Sequence, residues 1–465
     1  MTAQPRKKRG SLSRLRKTNP HAAGIDIHAN IHWVAVPPEH ASEPPPGQPP
    51  QLPRHVRSFG ACTADLVALA DWLTACGVKT VAMESTGIYW VSLFELLEAR
   101  GFEVFLVDPR QSRHAPGRPK SDVLDCQWLQ RLHSYGLLTA SFRPADQVVV
   151  LRSYLRQRQM LIRYAAQHIQ HMQKALEQMN VKLTEVVCDI LGVTGMAIIR
   201  AILQGERDPR TLAKLRNDKC QKTEAQIARA LQGNWRAEHL FALRQAVELY
   251  EFYRVQVRAC DAEAEAQLKR FPDRSGGRPL QARRRRSNRQ ANDASFDLRT
   301  ALYRMAGVDL TVMEGINEIT AFVILSEVGH DVSRFATAKQ FASWLGLCPQ
   351  HRISAGKIRS RSVRRGANRA ALALRMAAQG CHHAKHALGA FYRRIQARAG
   401  APKAVVATAR KLAERVYWLL KHGAEYVSQS VEAYEAAYQE RVLKGLARRA
   451  AAMGYRLEPS AAASS

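Results

Sequence analysis

Gly24-Ile25-Asp26-Ile27-His28, continued by Ile31-His32-Trp33-Val34-Ala35-Val36, reads as one buried strand over residues 25–36 with a carboxylate inside it. A carboxylate in an apolar strand is costly unless something cationic meets it. A second apolar run, Val78-Lys79-Thr80-Val81-Ala82-Met83, closes on Glu84, just before Ser85-Thr86-Gly87. Further along, Lys120-Ser121-Asp122-Val123-Leu124-Asp125 sets two carboxylates three apart, and on a helix these share one face. Several carboxylates converging on one point repel each other without a metal. Asp26, Glu84, Asp122 and Asp125 therefore read as a site for hard divalent cations, suited to phosphoryl transfer on nucleic acid.

The residues around these acids alternate strand and helix. A Pro-rich loop, Pro44-Pro45-Pro46 to Pro53, precedes a strand over 56–59 and a helix around 66–73. A strand over 80–84, a helix over 89–100 ended by Gly101, and a strand over 104–107 stopped by Asp108-Pro109 follow. This order predicts an α/β domain over residues 21–140 with a mixed sheet. Ligands of such sheets gather at strand ends, where Glu84 falls and where Asp26 can point.

The balance of charge widens the argument. Lys plus Arg number 70 against 40 acidic residues, a formal charge of +30 over 465 residues, which points to a polyanion partner and first to nucleic acid. Eight scattered cysteines, with no C-x-x-C pair, read as reduced thiols of a cytosolic protein. Residues 1–19 are basic without an apolar stretch, so they do not read as a signal peptide, and no apolar run approaches the length of a membrane span.

Residues 1–20 are expected to be a basic disordered arm, either touching phosphates or merely solvated. From 147 the pattern becomes helical through 268. Leu151, Leu155, Ile162, Ala165, Ile169, Met172, Leu176, Met179 and Leu183 form a heptad seam broken once by Arg158, fitting either a core helix or a coiled coil. His168 and His171 read as polar positions on that helix. Residues 270–296 form a basic linker with Arg283, Arg284, Arg285 and Arg286, expected to touch phosphate. Residues 297–440 form a third, mostly helical unit, and 441–465 a tail. Glycine turns at 192–198 and 315–321 resemble phosphate-holding helix starts, a weak signal. Cys381-His382-His383 with His386 suggests zinc only faintly, since no further ligand pair has metal spacing.

A second chemical centre lies in Gln350-His351-Arg352-Ile353-Ser354-Ala355-Gly356-Lys357, followed by Arg359, Arg361, Arg364 and Arg365. A serine in a glycine turn ringed by cations suits attack on a phosphodiester, with Lys357 and Arg352 among the groups steadying charge on phosphorus. A serine hydroxyl needs a base or metal to activate it. Ser360 and Ser362 compete with Ser354 for the role.

Taken together, Gly24-Ile25-Asp26, Met83-Glu84-Ser85-Thr86-Gly87, Lys120 to Asp125, Gly307-Val308-Asp309-Leu310, Glu327-Val328-Gly329, Phe341-Ala342-Ser343-Trp344-Leu345 and Ser354-Ala355-Gly356-Lys357 carry a resemblance. The chain resembles the DEDD transposases of bacterial insertion sequences, the insertion-sequence one-ten family of bridge-RNA-guided recombinases, from about residue 21 to 440. The resemblance implies a RuvC-like, RNase H-type α/β domain, a coiled-coil helical middle and a mostly helical C-terminal transposase domain. It implies Mg²⁺ held by Asp26, Glu84, Asp122 and Asp125, with Ser354 joining covalently to DNA. It implies donor and target DNA as substrates, a structured guide RNA pairing with both, and dimers assembling into a tetramer in which one subunit's acidic site meets another's serine. A cytoplasmic, nucleoid-associated bacterial protein with no membrane partner follows.

One departure from that family concerns Ala355, where glycine is common; alanine is expected to keep an ordinary negative φ unless strain is accepted. The linker with its four arginines also looks longer than usual. Two rival readings stand beside the recombinase. A RuvC-like nuclease or Holliday-junction resolvase would need the carboxylates but not Ser354. A non-enzymatic basic nucleoprotein scaffold would need neither.

Overall fold

The computed structural model describes residues 16–41, 52–85, 87–112, 121–282, 290–360, 362–364, 366, 368–423 and 431–458. Arg283, Arg284, Arg285, Arg286, Arg361 and Arg365 lie outside them. The chain divides into two compact units, residues 1–143 and 144–465.

The first unit is built on a five-stranded mixed sheet of order β3-β2-β1-β4-β5. Its strands are β1 (Ala22–Ile27), β2 (Ile31–Ala35), β3 (Val56–Gly60), β4 (Thr80–Glu84) and β5 (Glu103–Val107). The first three form an antiparallel meander, while β4 pairs parallel with both β1 and β5. The stretch expected as one strand over 25–36 is in fact a hairpin. Residues 28–30 turn it, with the His28 amide donating to the Ile31 carbonyl. No glycine or proline marks that turn; Asn30 is its one turn-forming residue.

Helices α1 (Thr63–Ala75) and α2 (Val91–Ala99) bury Leu69, Leu73, Leu93 and Leu97 against Ile25, Ile27, Val34 and Met83 on one face of the sheet. After the short α3 (Pro109–Ser112), helix α4 (Asp122–Ser134) lies on the other face, its Leu129 and Leu132 packing with Ala82 and Val107. Gly24 makes this close approach feasible: a Cβ there would sit 2.2 Å from the Gln130 backbone nitrogen and 2.5 Å from the Cys126 carbonyl. The last residues of the expected disordered arm are tied down. Thr18 and Asn19 donate their amides to the Ser134 carbonyl at 2.8 and 2.9 Å.

The second unit is mostly helical. Two helices of 33 residues, α5 (Asp146–Gln178) and, after the shorter α6 (Leu183–Val186), α7 (Val193–Leu203), α8 (Pro209–Ala213) and α9 (Glu224–Ala230), α10 (Ala237–Lys269), form its spine. They run antiparallel, with the Gln267 amide reaching the Gln147 carbonyl at one end and Tyr164 against Tyr253 further along. The heptad seam of α5 faces inward: Leu151, Leu155, Ala165, Met172 and Leu176 are buried. Arg158, read from sequence as a break in that seam, is itself only 2% exposed. It meets the equally buried Asp261 of α10 at 2.5 Å and donates to the carbonyls of Asn292 and Asp293.

Beyond residue 290 come α11 (Leu298–Ala306), α12 (Glu318–Val328), α13 (Ala338–Trp344), the hairpin β6 (Arg352–Ser354) and β7 (Lys357–Ser360), α14 (Arg369–Gly380), α15 (Ala387–Ala399), α16 (Ala401–His422) and α17 (Val431–Ala452). The last helix takes up much of the segment expected as a tail. Glu327, at the end of α12, accepts from Nε and Nη2 of the Arg156 guanidinium on α5, so this residue of the Glu327-Val328-Gly329 run has a packing role.

Candidate nucleic-acid cleavage site

The parallel register of β1 with β4 runs through Ile25 opposite Met83, which sets Asp26 and Glu84 side by side at the strand ends. Asp122 and Asp125 come from the first turn of α4, where the helix dipole favours carboxylates. Ser121 caps that helix, its hydroxyl accepting the Leu124 amide. The three-residue spacing turns both acids toward the strand ends. Burial holds the Asp26 carboxyl above its ordinary value. Glu84, Asp125 and Asp122 push it the same way, and His28 opposes them.

Three elements thus bring Glu84, Asp122 and Asp125 close enough to Asp26 for their charges to act on it. Glu84 is further fixed by Ser112 of α3, whose buried hydroxyl donates to Oε1 of that carboxylate, and the Ser112 carbonyl in turn accepts the Trp128 indole N–H at 3.0 Å. Behind Asp26 the Cys126 thiol is pushed up to about 12, mainly by burial and next by the Asp26 charge. It stays a neutral thiol, without the depressed pKa of a nucleophile.

His28 enters this site although sequence reading passed over it. Its Nε2 lies 3.2 Å from Asp26 Oδ2 and 3.5 Å from Asp122 Oδ1. Donor atoms of Asp26, His28 and Asp122 lie within 4.8 Å of one another. The signal was present, since residues two apart on a strand share a face. No comparable local signal announces Ser112.

The carboxylates acting on a half-buried Asp26 form a donor set that a hard divalent cation fits, since a cation there offsets the burial, and next the mutual repulsion, that raise the Asp26 pKa. No such group is formed at the C-terminal histidines among the described residues. There His382 lies in a single turn of 3-10 helix and His386 caps α15 through Nδ1, so the two do not share a helix face. The buried Cys381 thiol is pushed up to about 11.

Ser354 ends β6 and pairs with Lys357 across a two-residue turn. Both turn residues take positive φ, Ala355 at 49° and Gly356 at 72°, as a type I′ hairpin demands. The ordinary backbone expected at Ala355 is therefore not found: the tight turn imposes a left-handed alanine. Ser354, Lys357, Arg359 and Arg364 are exposed. The Ser360 and Ser362 hydroxyls lie 3.0 Å apart and hydrogen-bond to each other. The two glycine turns have local steric causes in this fold. Gly195 is demanded by the Ile190 carbonyl, 2.3 Å from where its Cβ would be, and Gly315 by φ 80°.

A family model of DEDD transposases of the IS110 type matches residues 23–181, and a second, described as the transposase IS116/IS110/IS902 family, matches residues 308–393. No curated protein matches the chain. Among the described residues no helix is long and apolar enough to cross a membrane.

Proposed function

Because the chain belongs to the IS110 family of DEDD transposases, enzymes that cut and rejoin DNA, we propose that it is an RNA-guided, metal-dependent serine recombinase of an insertion sequence. The observation that carries this reading is the convergence of Asp26, Glu84, Asp122 and Asp125 from β1, β4 and α4. The sheet order β3-β2-β1-β4-β5, with its antiparallel meander followed by parallel strands, supports a RuvC-like domain. The antiparallel pairing of α5 with α10 supports a coiled-coil middle.

In this reading the four carboxylates hold Mg²⁺. When bound, the ion supplies Lewis-acid stabilisation to the phosphate and lowers the pKa of an oxygen nucleophile. Ser354 Oγ forms a bond to phosphorus as the bond to the departing nucleotide hydroxyl breaks. The proton given up by the Ser354 hydroxyl is balanced by the one taken up by the departing oxygen, and rejoining is the reverse attack by a hydroxyl of the exchanged strand. Lys357 and Arg359 flank the serine on the same exposed hairpin and balance charge on the phosphate. The +30 charge grips backbone, while a structured RNA base-paired to donor and target DNA supplies sequence choice and dimers assemble into a tetramer.

The test is a denaturing gel of the protein incubated with Mg²⁺, the RNA of its element's noncoding flank, and donor and target DNA. A protein–DNA adduct is expected from the wild type and from neither Ser354→Ala nor Asp125→Ala. An equimolar mixture of the two variants restores the adduct if one subunit's serine meets another's carboxylates. A second reading, hydrolysis by water, is favoured by one observation: the carboxylates are assembled wholly within residues 1–143. Cleavage without an adduct that survives Ser354→Ala would establish it and remove the serine from the mechanism.

A further inference from the structure

The carboxylate cluster contains a donor of a different kind. Among the described residues, the group able to hold a metal ion joins His28 to Asp26 and Asp122. The imidazole sits on the edge of this group with its side chain 44% exposed. Its Nε2 separations of 3.2 and 3.5 Å from the two carboxylate oxygens are close to the spacing of neighbouring ligands on one ion. Bonds of about 2.1 Å at right angles put adjacent donors about 3.0 Å apart.

The backbone explains why the histidine arrives there. Asp26 lies near the end of β1 and His28 opens the β1–β2 turn just after it, which brings its Nε2 beside Asp26 and beside Asp122 at the start of α4. The His28 Nε2 faces the same space as the two carboxylates.

We propose that His28 is a ligand of the divalent-cation site, making it a mixed nitrogen–oxygen site that holds Mn²⁺ more tightly than Mg²⁺. The inference rests on the carboxylate-site reading above. Its chemical basis is donor preference: imidazole suits transition metals, whereas Mg²⁺ is held by oxygen ligands and keeps its waters. A histidine that acts only as an internal counter-ion to Asp26 would instead swing away when a cation enters, leaving an all-oxygen site.

The experiment is electron paramagnetic resonance of Mn²⁺ added to the full-length protein without nucleic acid, beside a binding titration with Mn²⁺ and with Mg²⁺. The wild type is expected to bind Mn²⁺ with spin-echo modulation from a coordinated imidazole nitrogen. His28→Ala is expected to keep the ion, lose that modulation, and weaken Mn²⁺ by about ten-fold or more, the scale on which groups around metal sites act. His28→Gln, which restores a polar oxygen at the same place, is expected to narrow the preference for Mn²⁺ over Mg²⁺. Bound Mn²⁺ without nitrogen modulation in the wild type overturns the histidine ligand and leaves the carboxylate site standing. Mn²⁺ binding that is unaffected by Asp26→Asn and Asp125→Asn removes the carboxylate site, and the proposal with it.

Discussion

Two places in this molecule draw charge out of water, and they are treated in opposite ways. In the helical unit Arg158 and Asp261 are both about 2% exposed and answer each other at 2.5 Å. Further partners are the carbonyls of Asn292 and Asp293 for the guanidinium and the amide of Ser295 for the carboxylate. In the sheet unit Asp26 is acted on by one histidine that lowers its pKa and by three carboxylates that raise it, on top of burial. A chain with 30 surplus cations has no shortage of arginine to place near Asp26. The difference teaches that the first charge pair is completed by the fold, whereas the second is left uncompensated by the fold, which is where the proposed function puts a cation.

The comparison breaks most visibly at the acidic site. Asp26→Ala is expected to remove a metal contribution of several kcal/mol and lower strand transfer by on the order of a thousand-fold, measured as recombinant product per hour. Residual activity near the wild-type level would make Asp26 structural. At the other region, Arg158→Ala strands a buried carboxylate and is expected to lower unfolding free energy by about 3–5 kcal/mol in a denaturant titration. Arg158→Met with Asp261→Leu is expected to recover most of that loss.

A smaller effect has the opposite sign. Asp26→Asn removes a charge that its surroundings disfavour, so the metal-free variant is expected to unfold later than the wild type, by on the order of 1 kcal/mol, while losing activity. The pH dependence follows from the direction of the shift. Asp26 is held above its ordinary value of 3.8, so the folded protein binds this proton more readily than the unfolded chain. This group's contribution to stability is present at low pH and lost as pH rises through the interval above 3.8 up to the raised value. Asp26→Asn removes that dependence, which thermal unfolding at a series of pH values reads directly. Smallest of all, Ala355→Gly relieves a left-handed alanine, and a gain below about 1 kcal/mol is expected, partly offset by added chain entropy.

Much of this contrast was legible in the sequence, and for a definite reason. Runs such as 80–84 and 104–107 are apolar, short and bounded, so local pattern alone placed β4 and β5 and put Glu84 at a strand end. The spacing of Asp122 and Asp125 likewise declared one helix face. What escaped either lacks a local mark in the residues or depends on partners far along the chain. The β1–β2 turn lacks a glycine or proline. Ser112 reaches Glu84 from 28 residues further along the chain. Arg158 resembled a defect in the heptad seam until its partner, 103 residues away, was known. Ala355 looked out of place by composition, yet the two-residue hairpin dictates its φ.

The measurement that bears most directly on an acidic site left for a bound cation is thermal unfolding of wild type and Asp26→Asn with and without Mg²⁺. Selective binding to the folded state at about 100 times the dissociation constant is worth about 2.7 kcal/mol. The wild type is expected to gain stability on this scale and Asp26→Asn to gain little. Equal gains in both proteins, or none in either, would contradict the account.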